Sequence, residues 1–323
     1  MMLRDDTLAH LRHVLAALEP AGNRYEVREP IGHGGMGTVY RAYDRTLARE
    51  VALKVLRADV ASEDATVRLE REARILARLE HPGIVPVHEV GTLADGRVYY
   101  IMKLVRGRRL HDFASTASRA DVLRVLVRVC ETVGFAHAHG VVHRDLKPSN
   151  IMVGGFGEVL VLDWGIARVR GAPDGTGDRV EPAAARVADE AETGPGVVLG
   201  TPGFMAPEQA QADATQIDER TDVYALGAIL RAVAGPSGDS GPAPRPLAAI
   251  WNRAMAPDPA ARYGSAAELA ADLTRFLDAL PVTAYREGLG ERAGRVFRKY
   301  QTAIILVLTY LAVRLLFLAM RGL

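Results

Sequence analysis

The sequence predicts an α+β fold in two parts, a small β-rich N-terminal part followed by a larger, mainly helical one. Three observations predict it: strand-like patterns are confined to residues 25–105, helical spacing dominates from 107 to 280, and no internal repeat relates the two. The chain of 323 residues is 49% hydrophobic, enough to bury a sizeable core as one large domain or two small ones. Forty Lys+Arg against 39 Asp+Glu give a net charge of +1, which argues against a basic surface for wrapping nucleic acid, so no nucleic-acid partner is expected. Cys130 is the single cysteine; it cannot form an internal disulfide and reads as a small buried apolar residue.

The chain opens on Met1-Met2-Leu3-Arg4-Asp5-Asp6, charged and without the apolar run of a signal peptide. Leu8, Leu11, Val14, Leu15 and Leu18 keep helical spacing, so residues 1–24 are expected to be a helical extension. Strands are expected at 25–28, 39–42 and 51–56, and a helix at 62–79 with Val67, Ile75, Leu76 and Leu79 apolar. Two more strands are expected at 84–90 and 98–105, then helices at 119–139, 216–234, 246–256 and 265–280. Residues 170–196 mix turn formers with charges and read as a mobile loop, and the Gly/Pro/Ser stretch from Gly235 to Pro242 reads as a connector.

Gly32-His33-Gly34-Gly35-Met36-Gly37-Thr38-Val39 lies between two expected strands. Glycines let a backbone approach a polyphosphate and point N–H groups at it, although a glycine-rich hairpin turn has the same wording. A dinucleotide-binding reading needs a helix straight after the glycines, and a strand follows instead. Lys54 stands in the apolar strand Val51-Ala52-Leu53-Lys54, where an ammonium needs anionic partners such as a phosphate and Glu72 of the following helix. A lysine snorkelling from a strand edge is the alternative. The most specific stretch is Val142-His143-Arg144-Asp145-Leu146-Lys147-Pro148-Ser149-Asn150, followed by the apolar run Val159-Leu160-Val161-Leu162 that ends in Asp163-Trp164-Gly165. Asp145 can accept a hydroxyl proton and Lys147 can neutralise a migrating phosphoryl group. Asn150 and Asp163 offer the hard oxygen ligands that Mg2+ prefers.

On these residues the chain resembles a eukaryotic-type (Hanks-type) serine/threonine protein kinase of bacteria. Glycine-rich loop, strand lysine, helix glutamate, His-Arg-Asp, Asp-Trp-Gly and Ala206-Pro207-Glu208 follow in that family's order. The resemblance covers residues 25–280, and the wording of Asp-Trp-Gly and of the tail is similar to membrane-anchored kinases of planctomycete-like bacteria. It implies the bilobal protein-kinase fold, with an N-lobe over 25–105, a C-lobe over 106–280 and an activation segment over 163–208. Lysine usage supports the match. Only Lys54, Lys103, Lys147 and Lys299 are lysine among forty cations, and chance would place lysine at both Lys54 and Lys147 in 4/40 × 3/39 of cases, or about one in 130. A compact ammonium is kept where a planar guanidinium would differ.

The resemblance implies ATP and Mg2+ as cofactors and protein Ser/Thr hydroxyls as acceptors. Asp145 would orient and deprotonate the acceptor hydroxyl, and Lys147 would stabilise the γ-phosphoryl. Lys54 would hold the α/β-phosphates, positioned by Glu72, beneath the loop formed by Ile31, Gly32, His33, Gly34, Gly35, Met36, Gly37 and Thr38. Val39 and Ala52 would cover the adenine with Met152 below, and Met102 and Leu104 belong to the hinge. Asn150 and Asp163 would hold the metal, and Thr201, in Gly200-Thr201-Pro202, is the Ser/Thr-kinase wording. Arg144 implies a phosphate partner in the loop; Thr176 and Thr193 are the hydroxyls there, with Thr193 favoured over Thr176 and an unmodified loop as the alternative. Asp222 is expected to bond the catalytic-loop backbone and Arg262 to pair with Glu208. The chain departs from the family between Leu230 and Leu247, where a fuller loop and another helix are usual, which puts substrate choice in question.

The tail sets a second expectation. Residues 303–320 hold sixteen apolar residues out of eighteen, the others being Thr309 and Arg314. As a helix this segment is about 27 Å long, near the roughly 30 Å thickness of a bilayer core. A basic linker over 281–301, a transmembrane helix over 302–320 and a kinase on the cytoplasmic face of the inner membrane are therefore expected. Arg314 is unfavourable in a span unless it snorkels or pairs in a homodimer; a buried or interfacial terminal helix is the alternative. A small-molecule kinase of the same fold and an ATP-binding scaffold without transfer are the competing readings of the whole chain. Lys147 and the Thr201-to-Glu208 segment argue against the first, and the intact Lys54, Asp145, Asn150 and Asp163 against the second.

Overall fold

The alternation of the first hundred residues folds into one antiparallel sheet of five strands, ordered β1-β2-β3-β5-β4. In the computed structural model these are β1 (Tyr25–His33), β2 (Gly37–Asp44), β3 (Arg49–Leu56), β4 (Val87–Thr92) and β5 (Val98–Lys103). The structure describes residues 24–33, 37–57, 62–164, 168–169, 203–210, 217–235, 242–288, 290 and 305–314. The expected helix over 8–18, Gly34, Gly35 and Met36, the expected loop over 170–196 with Thr176 and Thr193, and Thr201 lie outside them.

Helix α1 (Glu63–Arg78) packs on one face of this sheet. Ser62 begins it: its hydroxyl accepts the Ala65 amide at 3.2 Å, with Glu63 and Asp64 in the positive first turn. Leu69, Glu72, Ala73 and Leu76 form its buried stripe at helical spacing. Val67, expected among the apolar positions, falls on the opposite side and is 59% exposed. Leu69 and Leu76 join Leu56, Val98 and Tyr100 in the main core, and each such apolar side chain stabilises by roughly 1.5–3 kcal/mol when fully buried. The other sheet face carries a separate cluster built on Tyr25, Val51, Leu53, Tyr99 and Ile101.

After the hinge, β6 (Arg108–Arg109) leads into α2 (Leu110–Ala114) and α3 (Arg119–Ala138), which is capped by Ser118 and buries nine-tenths or more of Leu126, Val129, Cys130 and Val133. Strand β7 (Val141–Val142) precedes the segment that carries Asp145, and β8 (Ile151–Val153) and β9 (Val159–Val161) form a hairpin beside β6. Strand β10 (Arg168–Val169) pairs with β7. Helices α4 (Pro207–Ala210), α5 (Glu219–Ala234), α6 (Arg245–Ala254) and α7 (Ala266–Leu277) complete the helical lobe, with α3 packed on α7 and α5. The chain continues against this lobe past α7: Val282 is buried, and the buried Asp272 carboxylate accepts the Thr283 and Ala284 amides at 2.8 and 3.1 Å. The two-lobed arrangement expected from the sequence is present. Of the tail, α8 (305–314) is described and exposes Ile305, Leu306, Val307, Leu308, Leu311 and Val313. Among the described residues no helix is long and apolar enough to cross a membrane.

Candidate active site

Strand register assembles the first half of the site. β2 sets Val39 opposite Lys54, and β5 sets Met102 opposite Ala52 and Tyr100 opposite Lys54. Opposed residues share a face, so these side chains stand together on the face that α1 covers. Lys54 Nζ lies 2.7 and 2.8 Å from the two Glu72 carboxylate oxygens and 3.6 Å from Asp163 Oδ1. Tyr100 donates its hydroxyl to Glu72 Oε1 at 2.9 Å. Burial works against the Lys54 ammonium, but Glu72, Tyr100 and Asp163 outweigh it and hold its pKa well above the ordinary lysine value. The snorkelling alternative is therefore excluded.

The glycine-rich turn is described at its two ends. Ile31 is exposed, Gly32 pairs with Val39, and His33 pairs with Thr38, whose hydroxyl is 3.4 Å from His33 Nδ1. Gly37 has no room for a side chain: a Cβ there would sit 2.8 Å from the Val55 carbonyl oxygen. Leu104 follows β5 in the hinge, and Met152 pairs with Leu160 and Arg109 in the β6-β8-β9 sheet.

The second half is a loop held from behind by one buried carboxylate. Asp222, in the first turn of α5, accepts the His143 and Arg144 amides at 2.8 Å each and lies 2.7 Å from His137 Nε2. Burial pushes the Asp222 carboxyl up, but His137, His143 and these amides outweigh it and hold it below the usual aspartate value. Arg144 and Asp163 adopt left-handed φ values of 70° and 62°, which cost non-glycine residues of order 1–3 kcal/mol each. Asp222 holds Arg144 in that conformation, and Gln209 donates to the Arg144 carbonyl at 2.8 Å. His143 ties loop to strand. Its Nε2 is 3.0 Å from the Leu162 carbonyl and its Nδ1 accepts the Asp145 amide at 3.3 Å, which places the ring proton on Nε2. Trp164 is buried against the His143 ring and donates Nε1–H to the Val161 carbonyl.

Asp145, Lys147 and Asn150 meet in this loop. Lys147 Nζ lies 3.2 Å from Asp145 Oδ2, and Asn150 Nδ2 donates to the Asp145 carbonyl at 2.8 Å. This bond engages the Asn150 Nδ2 donor, so Oδ1 is the atom of this side chain able to ligate a cation. The Asp163 carboxylate is half exposed beside Lys54; burial pushes it up, but Lys54, His143 and Lys147 hold it below the usual aspartate value, so it is ionised. Asn150 and Asp163 thus fit a divalent cation that takes its remaining ligands from phosphate and water, as Mg2+ does. Among the described residues no cluster of three or more His, Cys, Asp or Glu could hold a metal by itself. Glu208 and Arg262 form the bidentate pair expected of them, at 2.7 and 2.8 Å, with Thr221 donating to Glu208 at 3.0 Å.

Sequence reasoning missed Tyr100, His137 and Gln209. Tyr100 lies in an apolar strand whose facing is fixed only by its pairing with β3, and the other two act through contacts distant in sequence.

A two-lobed fold with this lysine–glutamate pair and this aspartate loop defines a protein kinase domain. Residues 25–235 match the family model described as the protein kinase domain, and the chain belongs to that family. It is 36% identical over 303 residues to the serine/threonine-protein kinase PknD of Chlamydia trachomatis serovar D, and 35% identical over 296 residues to PknD of Chlamydia caviae. Each match covers 80% of this chain and 32% of the relative, so the chain spans about a third of the length of these relatives. The crystal structure of the Mycobacterium tuberculosis PknI kinase domain is similar at a TM-score of 0.55 and 28% identity, over 78% of this chain and 96% of that one.

Proposed function

We propose that the chain transfers the γ-phosphoryl group of ATP, with Mg2+, to Ser and Thr hydroxyls of proteins, itself included, in bacterial signalling. One observation carries the reading: Lys54 is gripped by Glu72 on one side and lies 3.6 Å from Asp163 on the other, the arrangement that phosphate binding requires. Bound Mg2+ would supply charge neutralisation for the phosphates, held by Asn150 and Asp163. Asp145 orients the acceptor hydroxyl and takes its proton as the new O–P bond forms and the bond to the β-phosphate oxygen breaks, leaving ADP. Lys147, beside Asp145, offsets the charge of the moving phosphoryl group. Lys54 neutralises the phosphates that remain. Val39, Ala52 and Met152 supply apolar surface for the adenine.

The test is incorporation of labelled phosphate from ATP and Mg2+ into a generic protein acceptor by the full chain, beside Asp145→Asn. Loss of a positioned base costs about 10²–10⁴-fold, so the variant is expected to lose nearly all incorporation. Equal incorporation by both proteins would sink the proposal.

The same reading places the chain at the inner membrane with its kinase lobes in the cytoplasm. The apolar composition of residues 303–320 supports it, as does the exposed apolar surface of α8. The full chain is expected in the membrane fraction of expressing cells, and a chain ending at residue 302 in the soluble fraction. Identical fractionation of the two would remove the anchor from the account.

A further inference from the structure

A concavity of about 600 Å3 lies behind the β6-β8-β9 sheet, on the opposite side from Met152. Cross-strand register places Arg108 opposite Val153 and Val153 opposite Val159, so one sheet face supplies an arginine and two valines. The facing wall is α3, whose Asp121, Arg124, Val125 and Arg128 recur at helical spacing. Three of the lining residues are arginine and one, Asp121, is acidic, an excess of two positive charges. The arginines are exposed yet positioned: Arg108 bonds Thr116 and lies over the Phe113 ring, Arg124 pairs with Asp121 at 2.7 Å, and Arg128 donates to the Gly157 carbonyl. At the rim, the turn Gly154–Gly157 holds Phe156 out with 99% of its surface exposed, between two glycines that line the concavity. None of these side chains takes part in the site described above.

We infer that this groove docks an acidic, partly apolar stretch of a protein substrate. Its carboxylates meet Arg108, Arg124 and Arg128, and its apolar side chains lie against Phe156. Arginine clusters recognise acidic segments through charge-assisted, bidentate hydrogen bonds, and the volume suits a few side chains. The word substrate rests on the kinase reading; the binding does not.

The test is fluorescence anisotropy of the full chain with a short labelled peptide of Glu-Glu-Leu repeats. Binding is expected at low salt, to weaken as salt rises, and to fall at least tenfold when Gln replaces Glu in the peptide. The double variant R124E/R128E should lose at least tenfold in affinity. Arg124→Gln, which leaves the turn contact of Arg128 intact, should lose about two- to fivefold, and Phe156→Ser should weaken binding without changing the charge. Phosphorylation of an acceptor peptide without the acidic stretch should be the same in all four proteins, whereas fusing the stretch to that acceptor should lower KM for the wild type and not for R124E/R128E. Equal binding by wild type and R124E/R128E, or equal binding of the Glu and Gln peptides, would overturn the inference even with phosphorylation intact. If no protein phosphorylates either acceptor, the kinase reading fails while the anisotropy result still decides the groove.

Discussion

Lys54 shows how much one residue type can carry. A chain that uses arginine for thirty-six of its forty cations places a lysine in an apolar strand, and the structure gives that lysine three anionic or hydroxyl partners. Asp145, Lys147, Asn150 and Asp163 were legible for the same reason: their chemistry is unusual for the apolar stretches that flank them. Tyr100 was not, because a tyrosine in a strand is ordinary and its partner Glu72 is 28 residues away. Its hydroxyl shares Glu72 Oε1 with Lys54, so it fixes the carboxylate that fixes the ammonium. Tyr100→Phe is expected to cost about 1 kcal/mol, and to raise the KM for ATP about fivefold with little change in kcat. An equal fall in kcat with KM unchanged would mean that the hydroxyl acts at a different step.

At the scale of elements, the long periodic segments were read well and the short ones poorly. α1 and α3 lie within two residues of their expected ends because Ser62 and Ser118 cap them and their apolar stripes are continuous. β4 begins at Val87, three residues later than expected: Ile84 instead makes a bridge to Val161 and Pro86 has no amide to give to a ladder. The two-residue strands β6 and β7 have too little pattern to register, and their pairing is set by the loops between them. A buried ion pair, Glu208 with Arg262, helps to tie α4 to the rest of the helical lobe. Arg262→Ala would strand the Glu208 carboxylate, which is 4% exposed, and should destabilise the protein by about 3–5 kcal/mol in denaturant unfolding. A loss below about 1 kcal/mol would show that water reaches Glu208 and that the pair is dispensable.

For the whole molecule, three buried carboxylates join distant parts of the helical lobe: Asp222 to the catalytic loop, Glu208 to Arg262 and Asp272 to residues 283–284. Burial pushes each carboxyl up and its hydrogen-bond donors outweigh burial, so all three have lowered pKa values in the folded state. Groups of this kind stabilise fully above the unfolded value, about 4, and lose that contribution as pH falls through the folded values. The thermal midpoint should therefore be flat from pH 7 to 5 and fall steeply below about 4. Asp272→Asn should lower it at neutral pH and flatten part of the acid slope; an unchanged slope would assign the acid sensitivity to the other two.

The clasp at Asp272 also sets a leash. Because Thr283 and Ala284 are bonded to α7, the reach from the helical lobe to the apolar tail is bounded by the eighteen residues between Ala284 and Ala303. Even drawn out fully, that length is about 65 Å. With the proposed anchor in place, the cleft can patrol only a shallow layer beside the bilayer. Proteins that dwell in that layer meet the kinase far more often than those that merely diffuse past.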